Sequence, residues 1–292
     1  MKVCFIVNPV SGPRPTRDGR CERLERLARL RKVECTIRLT VQRGHADDLA
    51  RQAVAEGMDR VISVGGDGTM NEVAGCLVNT GVPLGLVPLG SGNGLARDLG
   101  LPLDFDRAVV VALEGSCRTI DSGSVNGKPF FNVMGAGFDA ELGRRFNATK
   151  RRGFATYLQL GLRTYVGYPM QPYRIESGTG EFVEFRAFLL SVANSTQYGN
   201  GARIAPRARL DDGQLNLVAV TTGNPLLALG LVMRLFSGSV DRSHRTINLV
   251  GSRFRVRRDR PGPVHTDGEI HDLGTELLIE THPASIRVAT PG

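Results

Sequence analysis

Residues Val61–Glu72 read VISVGGDGTMNE. Alternating apolar residues run into Gly65-Gly66-Asp67-Gly68-Thr69, and the polar pair Asn71-Glu72 follows. Three glycines and an acid in five positions leave two readings open. One is a tight turn that happens to contain an aspartate. The other is an anion-binding loop. Glycine lets the backbone turn with positive φ and lets a ligand come close, and free N–H groups at the start of a following helix attract phosphate. Thr69 would then supply a phosphate-binding or N-capping hydroxyl. Asp67 bears on the choice, because a carboxylate beside phosphates is repelled unless a divalent cation bridges them or it serves as acid or base. The loop matches neither GxxxxGK[ST] nor GxGxxG.

On either side of this stretch, strands and helices alternate. Val3–Val7 and Val33–Val41 read as strands, Arg60–Val64 as the next, and Leu84–Leu89 as a fourth. Between them, Leu24, Leu27 and Ala28, then Leu49, Ala50, Ala53 and Val54, recur at helical spacing, and a further helix is expected from about Thr69 to Val78. This βαβαβαβ order predicts an α/β domain with a doubly wound parallel sheet, whose ligands bind beyond the carboxyl ends of the strands. Each strand there ends in loop chemistry: NPVSG, TVQRG, GGDGT and PLGSGNG. In the last, Ser91 and Asn93 are candidates for nucleotide hydroxyls or phosphates, with a glycine-rich cap of the helix Leu95–Leu99 as the plainer alternative.

The second half changes character around Cys117–Ser124. Val125-Asn126-Gly127-Lys128 carries a type I′ hairpin signal. Strand-like stretches follow at Tyr173–Ile175, Phe182–Ala193, Gln214–Thr221, Arg253–Val256 and Glu276–Glu280, interrupted by helices near Phe154–Tyr165 and Pro225–Phe236. The expected organisation is a nucleotide domain over residues 1–122 and a mostly antiparallel, β-rich substrate domain over residues 123–281.

The chain has 292 residues, with 37 Lys and Arg against 29 Asp and Glu, a net charge of +8. That balance favours an anionic partner. Nucleic acid is the weakest choice: there is no Trp, aromatics are 6%, and no zinc-finger spacing, RNP-like run or basic tail is present. Arg253, Arg255 and Arg257 would share one face of a strand, either a solvated face or a membrane-facing ribbon. Five cysteines without a CxxC pair read as reduced core thiols of a cytoplasmic protein. MKVCFIVNP is too short for a signal peptide, and no run approaches the ~18 apolar residues of a bilayer span. Membrane contact is therefore expected to be peripheral.

Taken in order, NPVSG (8–12), GGDGTMNE (65–72), PLGSGNGLA (88–96), Gly-Phe-Asp (137–139), ARLDDG (208–213) and HTDGE (265–269) resemble the diacylglycerol-kinase catalytic superfamily, which includes bacterial soluble lipid kinases and the sphingosine and ceramide kinases. The resemblance spans nearly the whole chain. It implies a β-sandwich-like second domain, an active cleft between the domains, and a last segment, about 282–292, that returns to the first. ATP and Mg²⁺ are the implied cofactors. The implied ATP site falls on Asn8, Pro9, Ser11 and Gly12, on Thr40, on Gly66, Asp67, Gly68, Thr69, Asn71 and Glu72, and on Ser91. The loop chemistry adds Gly65 and Asn93. The implied proton acceptor is Glu269, beside Asp267; in sphingosine-kinase-like members the aspartate of GGDG, here Asp67, takes that role. A structural Mg²⁺ would use the side chain of Asp212 and the carbonyls of Arg209 and Gln214, oxygen donors suited to a hard cation; an ordinary surface turn is the alternative. Many bacterial diacylglycerol kinases carry an aspartate directly after the asparagine of the second glycine loop, where this chain has Gly94.

The expected reaction is phosphoryl transfer from ATP to a lipid hydroxyl. An ordinary carboxylate, with a pKa of about 4, is a weak base for an alcohol, so it must act as the transition state acidifies the attacking oxygen. The helices near 154–165 and 225–236 carry apolar clusters flanked by Arg151, Arg152, Arg163 and Arg234. Core packing is the ordinary reading, and insertion at an anionic membrane surface the alternative. A homodimer through an exposed strand edge is also open. Two other functions compete: a kinase of a soluble acceptor, since NAD kinases and phosphofructokinases share a GGDG-type loop, and a silent nucleotide- or membrane-binding module.

Overall fold

The computed structural model describes residues 1–12, 17–149, 154–165, 167–178, 180 and 182–292. Arg151 and Arg152, expected to flank an apolar helix, lie outside the described residues. Two units form: Met1–Ser122 with Pro283–Gly292, and Gly123–His282.

The first unit runs β1 (Lys2–Val7), α1 (Arg17–Leu30), β2 (Glu34–Leu39), α2 (His45–Ala55) and β3 (Arg60–Gly65). It continues with α3 (Asp67–Leu77), β4 (Leu84–Pro88), α4 (Gly94–Asp98), α5 (Phe105–Glu114) and the start of β5 (Ser116–Val125). The strands pair in parallel in the order β2-β1-β3-β4. Every residue of β3 is buried, as a parallel strand with helices on both faces requires. Val3, Phe5 and Val7 point to one face, where Leu24, Leu27 and Ala28 of α1 and Ala108, Val109, Ala112 and Leu113 of α5 cover them. Strand order reverses at β1: its neighbours are β2 and β3, so the loops leaving β1 and β3 open a crevice at the carboxyl edge.

The second unit contains β6 (Lys128–Phe130), β7 (Val133–Gly137), α6 (Phe138–Ala148), α7 (Phe154–Tyr165), β8 (Gln171–Ser177), β9 (Phe182–Ala187) and β10 (Leu189–Ala193). Next come β11 (Gln197–Gly199), β12 (Ala202–Arg203), β13 (Leu215–Val220), α8 (Pro225–Ser237) and β14 (Thr246–Gly251). It ends with β15 (Arg253–Arg258), β16 (Gly262–Thr266), β17 (Glu269–Leu273) and the first part of β18 (Glu276–Thr290). One layer is antiparallel, in the order β14-β13-β10-β7-β16-β17. In the other, β15 pairs with β18 and β8, and β8 with β9. Met134, Leu190, Val192 and Leu217 from the first layer pack against Tyr173, Ile175, Phe254 and Ile279 from the second, giving a β-sandwich core.

The remainder of β18 belongs to the first unit. Val288 pairs in parallel with Leu84 of β4, Asn79 N donates to Ser285 O at 2.7 Å, and Ile286, Val288 and Ala289 are buried.

The arginine-rich strand resolves as a solvated face. Arg253 pairs with Glu280, Arg255 with Glu176 and Glu276, and Arg257 with Glu276, at 3.2–3.7 Å. Arg258 turns inward instead, and its guanidinium donates to the carbonyls of Gly262, Pro263, Leu273 and Gly274. Of the five free thiols only Cys4 is fully buried; the others are half-buried.

Candidate active site

The loops following the four strands of the first unit meet at its carboxyl edge. Asn8 N donates to Val64 O at 3.0 Å, Thr40 N to Val7 O at 2.9 Å, and Leu89 N to Gly65 O at 2.7 Å, so each loop starts from a fixed backbone position. Asn8 then does two things with one side chain: Oδ1 accepts from Val10 N at 3.1 Å, and Nδ2 donates to Thr69 Oγ1 at 3.1 Å. Ser11 O accepts from Arg20 Nη1, and Gly12, at φ +94°, adopts a conformation that favours glycine. Pro9 is half-buried at this edge and Thr40 buried.

Two glycine loops cross here, backbone against backbone. A Cβ on Gly90 would lie 2.9 Å from Gly66 Cα and 2.8 Å from Asn93 Oδ1, and a Cβ on Gly92 would lie 2.8 Å from Asp67 Oδ2. Only glycine permits that approach. Asp67 fastens the crossing: Oδ2 accepts from Asn93 N at 2.9 Å and Oδ1 from Gly94 N at 3.0 Å. Asn93, at φ 49°, closes its own turn by accepting from Gly90 N and donating to Gly90 O. The carboxylate at the centre of GGDG therefore holds the second loop.

The helix after GGDG starts earlier than its apolar spacing suggests. Gly66 is the N-cap and Asp67 the first helical residue, two residues ahead of Thr69. No side chain caps this end, so the first-turn amides of Asp67, Gly68 and Thr69 have no intrahelical acceptor and form an anion-attracting terminus. Thr69 is not the cap. Its Oγ1 accepts from Asn8 and fills the space where a Gly65 Cβ would sit, 2.6 Å away. Gly68 faces open space, and Ser91 is exposed beside the crossing. Asn71 is buried. Glu72 reaches back to the loop after β2: its oxygens accept from Gly44 N at 3.0 Å and Ala46 N at 3.1 Å, capping α2. This is a capping role that its expected place among the ATP-binding residues did not include.

In the second unit, Asp267 and Gly268 form the two-residue turn of the β16–β17 hairpin, with φ of 49° and 86°, the backbone of a type I′ turn. Asp267 is 7% exposed, and its carboxylate accepts from Phe131 N at 2.7 Å, Asn132 N at 3.0 Å and Val133 N at 2.8 Å. With three lone-pair positions committed to backbone, Asp267 anchors the hairpin; as a candidate catalytic residue it is better described as positioning. Glu269 opens β17 opposite Thr266 and is half-buried.

A part-buried polar cluster that residue patterns did not reveal includes His265 of this hairpin. His265 Nε2 is 2.9 Å from Asp139 Oδ2, Tyr198 OH donates to the same oxygen at 2.9 Å, and Ser191 Oγ pairs with Tyr198 OH. A Cβ on Gly135 would stand 2.3 Å from that oxygen and 2.4 Å from His265 Nε2. The Gly-Phe-Asp and His-Thr-Asp motifs were its only signal, and nothing in their spacing pairs them.

At the third candidate site, Asp212 Oδ1 accepts from Gln214 N at 3.0 Å, Gly213 has φ 71°, and Arg209 lies 3.6 Å from Asp211. The segment is a surface turn anchored by buried Leu210. Asp212 and carbonyl oxygens are a hard-cation donor set, but among the described residues no three His, Cys, Asp or Glu side chains group to hold a metal.

A parallel-sheet unit with an uncapped helix end beside two crossed glycine loops, joined to a β-sandwich, defines a two-domain α/β and β protein. Comparison with known proteins agrees. Residues 2–125 match the diacylglycerol kinase catalytic domain, and residues 132–290 match the YegS C-terminal NAD kinase beta sandwich-like domain. A "Probable lipid kinase YegS-like" of Chromohalobacter salexigens is 37% identical over 204 residues, covering 67% of this chain and 65% of that protein. A relative of the same description in Klebsiella pneumoniae is 30% identical over 89% of this chain and 87% of its own. Among solved structures, a diacylglycerol kinase from Bacillus anthracis superposes with TM-score 0.76 at 22% identity, covering 99% of this chain and 96% of that one. Another structure from that organism reaches TM-score 0.83 at 21% identity, covering 99% and 95%. The chain belongs to the YegS-like lipid kinase family, with the fold of the diacylglycerol kinases.

Proposed function

We propose that this protein transfers the γ-phosphoryl group of ATP to a hydroxyl of a lipid such as diacylglycerol or a sphingoid base. The observation that carries the reading is the Gly66–Gly90 crossing fastened by Asp67 beside the uncapped first turn of α3. Phosphoryl transfer demands little covalent chemistry of a protein and much positioning and charge stabilisation. The amides of Asp67, Gly68 and Thr69 offer both to a phosphate chain, and Ser91 offers a hydroxyl at its edge.

The geometry bears on how labour is divided between the two candidate carboxylates. Asp67 spends a lone pair of each oxygen on the second loop, which suits a residue that holds the phosphate cradle and faces a cation from it. Mg²⁺ typically takes one or two carboxylates together with substrate phosphates rather than an all-protein cage, so one carboxylate at the crossing is a fitting protein contribution. When bound, Mg²⁺ would neutralise developing charge on the phosphates. Glu269, on a hairpin fixed by Asp267, is the proposed acceptor of the lipid hydroxyl proton.

The test is transfer of label from γ-labelled ATP to a total lipid extract, with NAD and fructose 6-phosphate assayed in parallel and products identified by mass spectrometry. A phosphorylated lipid is the expected labelled product. Label on NAD or the sugar phosphate, with none on lipid, would assign the protein to a soluble acceptor.

A further inference from the structure

One helix face of the second unit is apolar and exposed, and exposed arginines stand on the helix and beyond its C-terminal end. α8 packs on its own unit through Leu231 and Leu235, which join Val220, Val240 and Ile204. On its other side Val232, Met233 and Phe236 are 47%, 69% and 56% exposed. At about 100° per residue, the three occupy a single arc about 100° wide. Three of the twelve exposed large apolar side chains among the described residues share this one arc, so they form a patch rather than the scatter found on any surface. Core packing therefore accounts for only one side of α8.

The surroundings say what covers the other side. Arg234 is on the helix, and Arg242, His244 and Arg245 follow it, all exposed. Arg203 lies at the helix end, its Cδ 3.5 Å from the position of a Gly238 Cβ. Asp241 is the sole acid between Gly213 and Arg258 in sequence, and Arg207 already pairs with it at 2.8 Å. A two-fold pairing of copies through this face would set the same cations against one another with no acids to answer them. A bilayer containing anionic lipid supplies an apolar interior and a phosphate surface at the required depth, and a helix of 13 residues is too short to cross it.

We propose that the Val232–Met233–Phe236 face of α8 docks the protein on an anionic membrane surface, the three side chains entering the headgroup–acyl boundary while the arginines meet lipid phosphates. This deepens the lipid-kinase reading, on which its biological sense rests, but its evidence is the helix alone.

Sedimentation with vesicles of phosphatidylcholine, with and without phosphatidylglycerol, tests it. Wild type should pellet with the anionic vesicles and be released by salt. Met233→Ser/Phe236→Ser should lower that binding by on the order of tenfold, and Arg234→Gln/Arg242→Gln/Arg245→Gln by a similar order while flattening the salt dependence. Both variants change exposed side chains, so each should keep the wild-type melting temperature; Val232→Ser replaces the first if it does not. Equal binding to neutral and anionic vesicles, or variants that bind like wild type, would overturn the proposal. So would a dimer in sedimentation velocity that Met233→Ser/Phe236→Ser dissolves, since that assigns the face to a second copy. Turnover on lipid dispersed in neutral detergent separates this from the kinase reading: both variants should match wild type there. No turnover by any form on any lipid would sink the kinase reading, and the vesicle result would still decide the docking.

Discussion

At the scale of single residues, the two acidic candidates are built for different work. Asp67 sits under two backbone donors, so Asp67→Asn turns an amide N–H₂ toward Asn93 N or Gly94 N and loses a charge-assisted bond, about 1.5–3 kcal/mol. A lowered melting temperature and weakened ATP binding should accompany its loss of turnover. Glu269→Gln keeps shape at the start of β17. It should leave melting temperature and ATP affinity near wild type while turnover falls by at least about a hundredfold, the usual scale of general-base catalysis. Thermal melts and nucleotide titrations on the two variants check the split, and matching profiles would refute it. Thiols offer a separate check on the local packing. Burial, then the hydrogen bond to Asp47, pushes the Cys76 thiol up to about 12, and burial pushes Cys4 up to about 11. Because thiolate is the reactive form, native alkylation near pH 8 should modify Cys4 and Cys76 last, as peptide mass spectrometry would show. Asp47 shows the converse shift: burial raises its pKa, but hydrogen bonds from Arg51 and Cys76 outweigh it and the net change is downward. The stability it contributes is thus present above the ordinary aspartate range and lost as pH falls through its lowered value.

At the scale of elements, the crossing of β3–α3 with β4–α4 makes a prediction that separates folding from binding. Gly90→Ala places a Cβ 2.9 Å from Gly66 Cα, so the loops must part, and stability and ATP affinity should fall together. Gly68→Ala meets nothing within 4 Å; alanine also favours a helix over glycine by up to about 1 kcal/mol. It should melt no lower than wild type, yet its methyl intrudes where phosphate is placed and raises KM for ATP. Glycine spacing and strand–helix alternation made the parallel sheet and these loops legible in sequence. The start of α3 was not, because a glycine N-cap leaves no side-chain signal and Thr69 looks like one. Asp267-Gly268 was read for its acid, although Asp-Gly between apolar runs is also a hairpin turn. In the His265–Asp139–Tyr198 cluster, Asp139 meets side chains 59 and 126 positions away along the chain. Such pairings arise from sheet register, which no local pattern encodes.

At the scale of the whole molecule, the first unit is completed by the chain's last ten residues. Ser285 Oγ bonds Ser122 Oγ at 2.8 Å, Ala284 N donates to Asp121, and buried Ile286 and Val288 flank the edge of β4. A chain ending at His282 should lose the cooperative melt of this unit, and calorimetry would show whether it does. Among the described residues no helix is long and apolar enough to cross a membrane, and the proposed docking face of α8 would meet lipid from one side only. The proposed kinase chemistry stands or falls on ATP phosphates resting where the two glycine loops cross. Amide NMR of the uniformly labelled protein during ATP titration is the direct test. Saturable shifts concentrated at Asp67, Gly68, Thr69 and Ser91 are expected; shifts confined to residues 123–282, or none at all, would contradict that placement.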